Sequence, residues 1–146
     1  MMNITSNSRN SVNKTSNNHN ILKNQIRIVQ HNCARSLNVM HSLLNSVAKT
    51  ADIVLIQEPW IARDNKSTIS HPAFTSLLPP SNSIISVRPR TMTFVSKNRQ
   101  KLICTPRSDI FMNSDLQILS ISTDKISNVL LLNIYNEKCQ QNNSYT

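Results

Sequence analysis

Glycine is absent from all 146 residues. That absence removes the P-loop, the dinucleotide-binding fingerprint and the EF-hand loop together, because each places glycine where the backbone bends sharply or comes close to a phosphate. Acidic residues are scarce: 7 Asp and Glu stand against 16 Lys and Arg, a formal net charge of +9. Such an excess favours anionic partners, nucleic acid or a membrane surface, and says nothing about fold. Cysteine is sparse as well. Cys33, Cys104 and Cys139 are far apart, odd in number and form no CxxC pair, so neither a disulfide framework nor a zinc site is indicated, and reduced thiols in an intracellular protein are expected. No apolar run reaches the length of a membrane span, and the opening MMNITSNSRNSVNKTSNNHN has no apolar h-region. A soluble chain with no cleaved secretory signal and no membrane partner is expected.

What is present changes character along the chain. Residues 1 to about 22 are mostly Asn, Ser and Thr with scattered basic residues, too poor in apolar surface to offset the entropy of ordering a backbone, and read as a disordered leader. QIRIVQHN then alternates and predicts a strand from about Ile26 to Gln30. Leu37, Met40, Leu44, Val47, Ala48 and Ala51 recur at spacings of three and four and predict one apolar face of a helix beginning near Ser36. Ile53 to Gln57 is apolar on both sides, as suits a strand covered on both faces. Pro59 lacks an N–H and disfavours helix at Glu58, so this strand should end at about Gln57. Residues 62 to 86 read as a long surface loop with one short element around Phe74 to Leu78. Strands are expected again at Thr91 to Ser96, Lys101 to Cys104, Leu116 to Ile121 and Val129 to Tyr135, the last two as an antiparallel pair joined by STDKISN.

A strand, helix, strand unit has parallel strands and a right-handed crossover, so both strands end at one edge of the sheet. Asn32 and Glu58, just past those ends, become neighbours at the carboxyl edge, where open α/β sheets bind ligands. An amide and a carboxylate there suit a hard cation such as Mg²⁺, which takes oxygen ligands. Taken singly, Asn32 reads more readily as a turn residue bonding its own backbone, Glu58 also as a solvated loop carboxylate, and Trp60 as a core or loop anchor rather than a base-stacking platform.

The segments NQIRIVQHNCARS, ADIVLIQEPW and NVLLLNIYNE, in that order, resemble the opening half of the endonuclease/exonuclease/phosphatase superfamily. They most resemble the endonuclease domain of non-LTR (LINE-type) retrotransposons. The resemblance runs from about Gln25 to Lys138, and QEPW after an apolar strand is its most specific part. It implies a partial four-layer α/β-sandwich, a mixed sheet with a flanking helix that stops before the family's second half. The implied division is a leader at 1–22, an endonuclease-like part at 23–138 and a tail at 139–146. By residue, Glu58 matches the family's metal-binding glutamate, Asn32 the asparagine that organises metal and phosphate, and Tyr135 the tyrosine near the scissile phosphate, which read from the strand alone is an amphipathic strand end. Mg²⁺ or Mn²⁺ is the implied cofactor, metal-dependent cleavage of DNA the implied ancestral reaction, and the nucleus the implied compartment of a functional retrotransposon endonuclease.

The family's later motifs, an aspartate and asparagine after a late strand and then an aspartate and histidine, are not found among these residues. General base catalysis needs a group of suitable pKa within reach of the water, so activity is expected to be absent or very weak unless another chain supplies the missing half. About one sheet is expected, with much of its inner face uncovered. Between Asp64 and Asp109 there is no acid, and Lys66, Arg88, Arg90, Lys97, Arg99, Lys101 and Arg107 bring seven positive charges. Those from Arg88 onward are expected to form a stripe on adjacent strands that contacts DNA, or RNA, through phosphates, with a solvated basic surface as the bland alternative. Two rival readings stand beside the endonuclease: a non-catalytic basic nucleic-acid-binding protein, and a phosphatase or phospholipase of the same superfamily.

Overall fold

The computed structural model describes residues 25–64, 67–79, 87–111 and 113–137. The polar leader, Lys66, Cys139 and the tail lie outside the described residues. Eight elements follow one another: β1 Ile28–Asn32, α1 Leu37–Val47, β2 Ile53–Gln57, β3 Phe74–Leu77, β4 Thr91–Ser96, β5 Ile103–Pro106, β6 Leu116–Ser122 and β7 Val129–Ile134. β2 and β4 occupy the residues their patterns predict, whereas β1 begins two residues later than expected. Its alternation continues into the polar QHN, and those residues pair as well as the apolar ones do, with Asn32 opposite Gln57.

The first sheet has the order β1-β2-β4-β3, with β1 parallel to β2 and the other pairs antiparallel. α1 starts where the Ser36 hydroxyl accepts the Val39 N–H at 3.3 Å, a side-chain cap that satisfies one of the donors left open at a helix start. Of the expected apolar face, Met40 and Leu44 are fully buried against Val54, Ile56, Met92 and Phe94, and Ala51, Val47 and Ala48 pack with them. Leu37 is 36% exposed and lies outside this contact; it belongs to the first turn, where the helix has only just met the sheet.

The opposite face of β2 meets a second sheet of order β5-β6-β7, wholly antiparallel. Ile53 and Leu55 pack there on Leu119 and Ile121. β2 is thus buried on both sides, which its unbroken apolar run requires, and each such side chain contributes roughly 1.5–3 kcal/mol by leaving water. The expectation of about one sheet with an uncovered inner face is corrected: the late β runs form a separate sheet that covers it. Two buried polar side chains stitch the sheets together. Asn133 donates from Nδ2 to the Ile56 carbonyl at 3.1 Å and the Met92 carbonyl at 2.9 Å, and Gln117 accepts from the Thr93 hydroxyl at 2.7 Å while donating to the Leu77 carbonyl at 2.9 Å. Among the described residues no helix is long and apolar enough to cross a membrane.

Without glycine, four of the described residues take left-handed backbone: Ala34 (φ 47°), Arg35 (φ 58°), Glu58 (φ 46°) and Asn128 (φ 56°). A side chain with a Cβ pays roughly 1–2 kcal/mol in that region. Three of the four are at the carboxyl edge of β1 and β2, where Arg35 N–H donates to the Glu58 carbonyl at 2.7 Å, Glu58 N–H to the Arg90 carbonyl at 2.9 Å and Ala34 N–H to the Asn32 side chain at 2.8 Å.

Candidate functional site

Parallel pairing of β1 and β2 brings Asn32 and Glu58 to the same edge, as the sequence predicts. β4 runs antiparallel to β2, so its first residues arrive at that edge too. β7 ends there as well, since the Gln57 side-chain amide donates to the Ile134 carbonyl. Tyr135 follows directly, and its hydroxyl donates to Glu58 Oε1 at 3.2 Å. Arg35 Nη2 is 3.7 Å from the same oxygen. Burial, and next the hydrogen bond to Glu58, push Tyr135 above the usual tyrosine value of 10.0, so its hydroxyl keeps its proton at neutral pH and acts as the donor.

Asn32 does something narrower. Its Oδ1 accepts the Ala34 N–H at 2.8 Å, the self-bonded turn that asparagine forms after a strand. This bond steadies the left-handed Ala34–Arg35 step and uses one lone pair of the amide oxygen. Asn32 shares the edge with Glu58 by its position on the strand; no direct bond joins the two side chains among those described.

The six cations expected to form one stripe are divided between opposite edges. Arg88, Arg90 and Arg107 lie towards the Glu58 edge. Lys97 and Arg99, past the end of β4, lie beside the start of β2, and Lys101 pairs with Asp124 beyond the end of β6. Each is also engaged within the chain. Arg88 donates to the Ile61 carbonyl at 2.5 Å, Lys97 to the His71 carbonyl at 3.3 Å and Arg99 to the Gln25 carbonyl, and Arg99 also forms an ion pair with Asp52 at 3.4 Å. Lys101 meets Asp124 at 2.9 Å, and Arg107 grips both oxygens of Asp109 at 2.8 and 2.7 Å. The side-chain bonds hold Asp109 and Asp124 below the usual carboxylate value. Arg90 is the most heavily engaged, with Asp115 at 2.6 and 2.8 Å and Glu137 at 2.6 Å.

Three residues that sequence reasoning missed at the site are Arg35, Asp115 and Glu137. Arg35 had a local signal, three positions after Asn32 in HNCARS. Asp115 and Glu137 had none, because their partner Arg90 is 25 and 47 residues away. Trp60 is a loop anchor: its N–H donates to Met40 Sδ at 2.9 Å and its carbonyl accepts from Thr68 at 2.8 Å. Cys33 and Cys104 are free thiols, and burial pushes both up to about 11, which leaves them protonated and poor nucleophiles at neutral pH.

Among the described residues no group of three or more His, Cys, Asp or Glu is placed to hold a metal ion. Glu58 offers one carboxylate whose Oε1 is already occupied by Tyr135 and Arg35. This donor set does not fit a cation held by protein ligands alone. It fits Mg²⁺ or Mn²⁺ shared with a phosphate, since Mg²⁺ commonly keeps water and takes one or two carboxylates plus substrate oxygens.

No known family's sequence profile matches the chain, and no curated protein sequence matches it. A solved structure does: the endonuclease domain of TRAS1, a telomere-specific non-LTR retrotransposon, at 17% identity with a TM-score of 0.55. The superposition covers 77% of this chain and 45% of that one. This chain therefore spans less than half the length of the neighbour it resembles, and the likeness shows a shared α/β fold of the endonuclease type.

Proposed function

We propose that the chain is a retrotransposon-type endonuclease fold that binds a nucleic-acid phosphate, from DNA in the first instance, together with Mg²⁺ or Mn²⁺ at its carboxyl edge. The observation that carries this reading is the 3.2 Å bond between Tyr135 and Glu58, which joins the ends of two core strands from different sheets. It supports the roles that the resemblance gives these residues. The neighbour's own description as an endonuclease domain supports a nucleic-acid substrate.

In this reading Glu58 supplies the carboxylate, and Asn32 its remaining amide capacity. Tyr135 donates to a phosphate oxygen or keeps Glu58 oriented, and Arg35 offers positive charge to the phosphate. The cation, when bound, would offset charge on the phosphodiester. Water attack needs a base in reach, and none of the residues described around Glu58 provides one. Binding is therefore the step this chain performs, and cleavage by these residues alone is absent or very weak. The rival reading, metal-independent binding through Arg88 to Arg107, is weakened by the ion pairs that already occupy Arg90, Lys101 and Arg107.

Incubation with supercoiled plasmid, in Mg²⁺, Mn²⁺ or EDTA and beside Glu58→Gln, separates these readings. Metal-dependent retention of the plasmid without nicking, lost in Glu58→Gln, is expected. Retention that is equal in EDTA and in Glu58→Gln would favour the rival.

A further inference from the structure

Arg90 touches both members of the Glu58 and Tyr135 pair, one through its backbone and one through its side chain. Its carbonyl accepts the Glu58 N–H at 2.9 Å, which fixes the left-handed residue on which the carboxylate stands. Its guanidinium carbon lies 5.0 Å from the centre of the Tyr135 ring, within the range at which a cation is attracted to an aromatic face.

The guanidinium is held there by carboxylates of the second sheet. Nε and Nη2 donate to the two oxygens of Asp115 at 2.6 and 2.8 Å, and Nη1 donates to Glu137 Oε2 at 2.6 Å. A planar, forked cation suits this grip and a lysine does not. Two further bonds close the arrangement: the Tyr135 N–H donates to the Asp115 carbonyl and the Arg90 N–H to the Ser114 carbonyl, each at 2.8 Å. Only 25% of the Arg90 side chain is exposed, and Asp115 and Glu137 already engage three of its guanidinium nitrogens. It is poorly placed to be a nucleic-acid contact.

We propose that Arg90 is the positioning residue of the site: it locks the Tyr135 ring over its guanidinium and the Glu58 backbone under its carbonyl, so that hydroxyl and carboxylate meet. The inference rests on the phosphate-site reading for what the pair does, but the lock itself can be read without nucleic acid.

The test is the NMR signal of the Tyr135 ring. The chain has two tyrosines, so ring-labelled tyrosine in a Tyr145→Phe background leaves Tyr135 as the only reporter. Loss of the guanidinium in Arg90→Gln should free the ring, so that its signals move to the positions of free tyrosine while those of Phe74 and Phe94 in the core stay where they are. A folded Arg90→Gln protein with unchanged Tyr135 ring signals would overturn the proposal. Should Arg90→Gln fail to fold, Arg90→Lys reads the same lock: its ammonium cannot bridge Asp115 and Glu137 and still cover the ring, so the ring signals should again move, and unchanged signals would again overturn it. A null plasmid assay with displaced ring signals would count against the phosphate-site reading and leave the lock standing.

Discussion

Glu58 and Tyr135 are separated by 77 positions in the sequence and by 3.2 Å between hydroxyl and carboxylate oxygen. The contact exists because β2 and β7 belong to different sheets that end at the same edge, with Gln57 bonded to the Ile134 carbonyl one residue before each of them. A local motif cannot make such a contact. It depends on the packing between sheets.

Asn133 is fully buried and supplies two bonds to β2 and β4, while its Oδ1 has no partner. Asn133→Ala removes both bonds and leaves a small void. A loss of about 2–4 kcal/mol in urea unfolding is expected, from two unmade buried bonds and the cavity. Loss of less than about 0.5 kcal/mol would show that the sheets hold together without it.

Buried His71 shares a bond of 3.1 Å with Asn45 and accepts the Ala73 N–H at Nδ1, so Nε2 carries the proton in the neutral ring. Burial, and then the nearby His41 and Lys97, lower its pKa below 6.5. The unfolded chain therefore takes up a proton that the folded chain resists. Stability from this group is complete above pH 6.5 and declines as the pH falls below it towards the folded value. Urea midpoints measured across this range should fall with pH in the wild type, and fall less in His71→Gln.

Ala34 occupies left-handed backbone at φ 47° in a chain without glycine. Ala34→Gly relieves the Cβ clash at the cost of extra freedom in the unfolded chain, and a net gain of roughly 0.5–1 kcal/mol is expected. A destabilised Ala34→Gly protein would mean that the Asn32 turn already absorbs the strain.

β7 is an edge strand of the second sheet. It carries no charged residue, and Leu130, Leu132 and Ile134 are about half exposed on it. Uncharged apolar edges template unwanted pairing. Leu132→Lys should reduce self-association in sedimentation or light scattering and change unfolding by no more than about 0.5 kcal/mol. Equal association in both proteins would move the cause elsewhere.

Much of the fold could be read where a pattern is local and its environment uniform. β2 and β4 matched their predicted residues because both are buried on both faces, and the start of α1 matched because Ser36 signals it. The second sheet was legible as strands but not as a cover for the first, since Ile53 on Leu119 is a contact between distant segments. At the site, the neighbourhood of Asn32 and Glu58 followed from crossover handedness. The expected stripe did not form because Arg88 and Arg90 precede β4 while Lys97 and Arg99 follow it, which puts them at opposite edges; nor can spacing show that Asp52, Asp115 and Asp124, from other segments, reach Arg99, Arg90 and Lys101. Arg90 shows this most clearly: its charge was legible, but its partners, 25 and 47 residues away, were not.

In the proposed site, Glu58 joins a cation and a nucleic-acid phosphate at the carboxyl edge. Anisotropy of a short labelled DNA duplex, titrated with the protein in Mg²⁺ and in EDTA at one salt concentration, tests it directly. Tighter binding in Mg²⁺ than in EDTA is expected, with a loss of roughly tenfold, about 1.4 kcal/mol, in Glu58→Gln with Mg²⁺ present. Identical curves for wild type in Mg²⁺, wild type in EDTA and Glu58→Gln would contradict it.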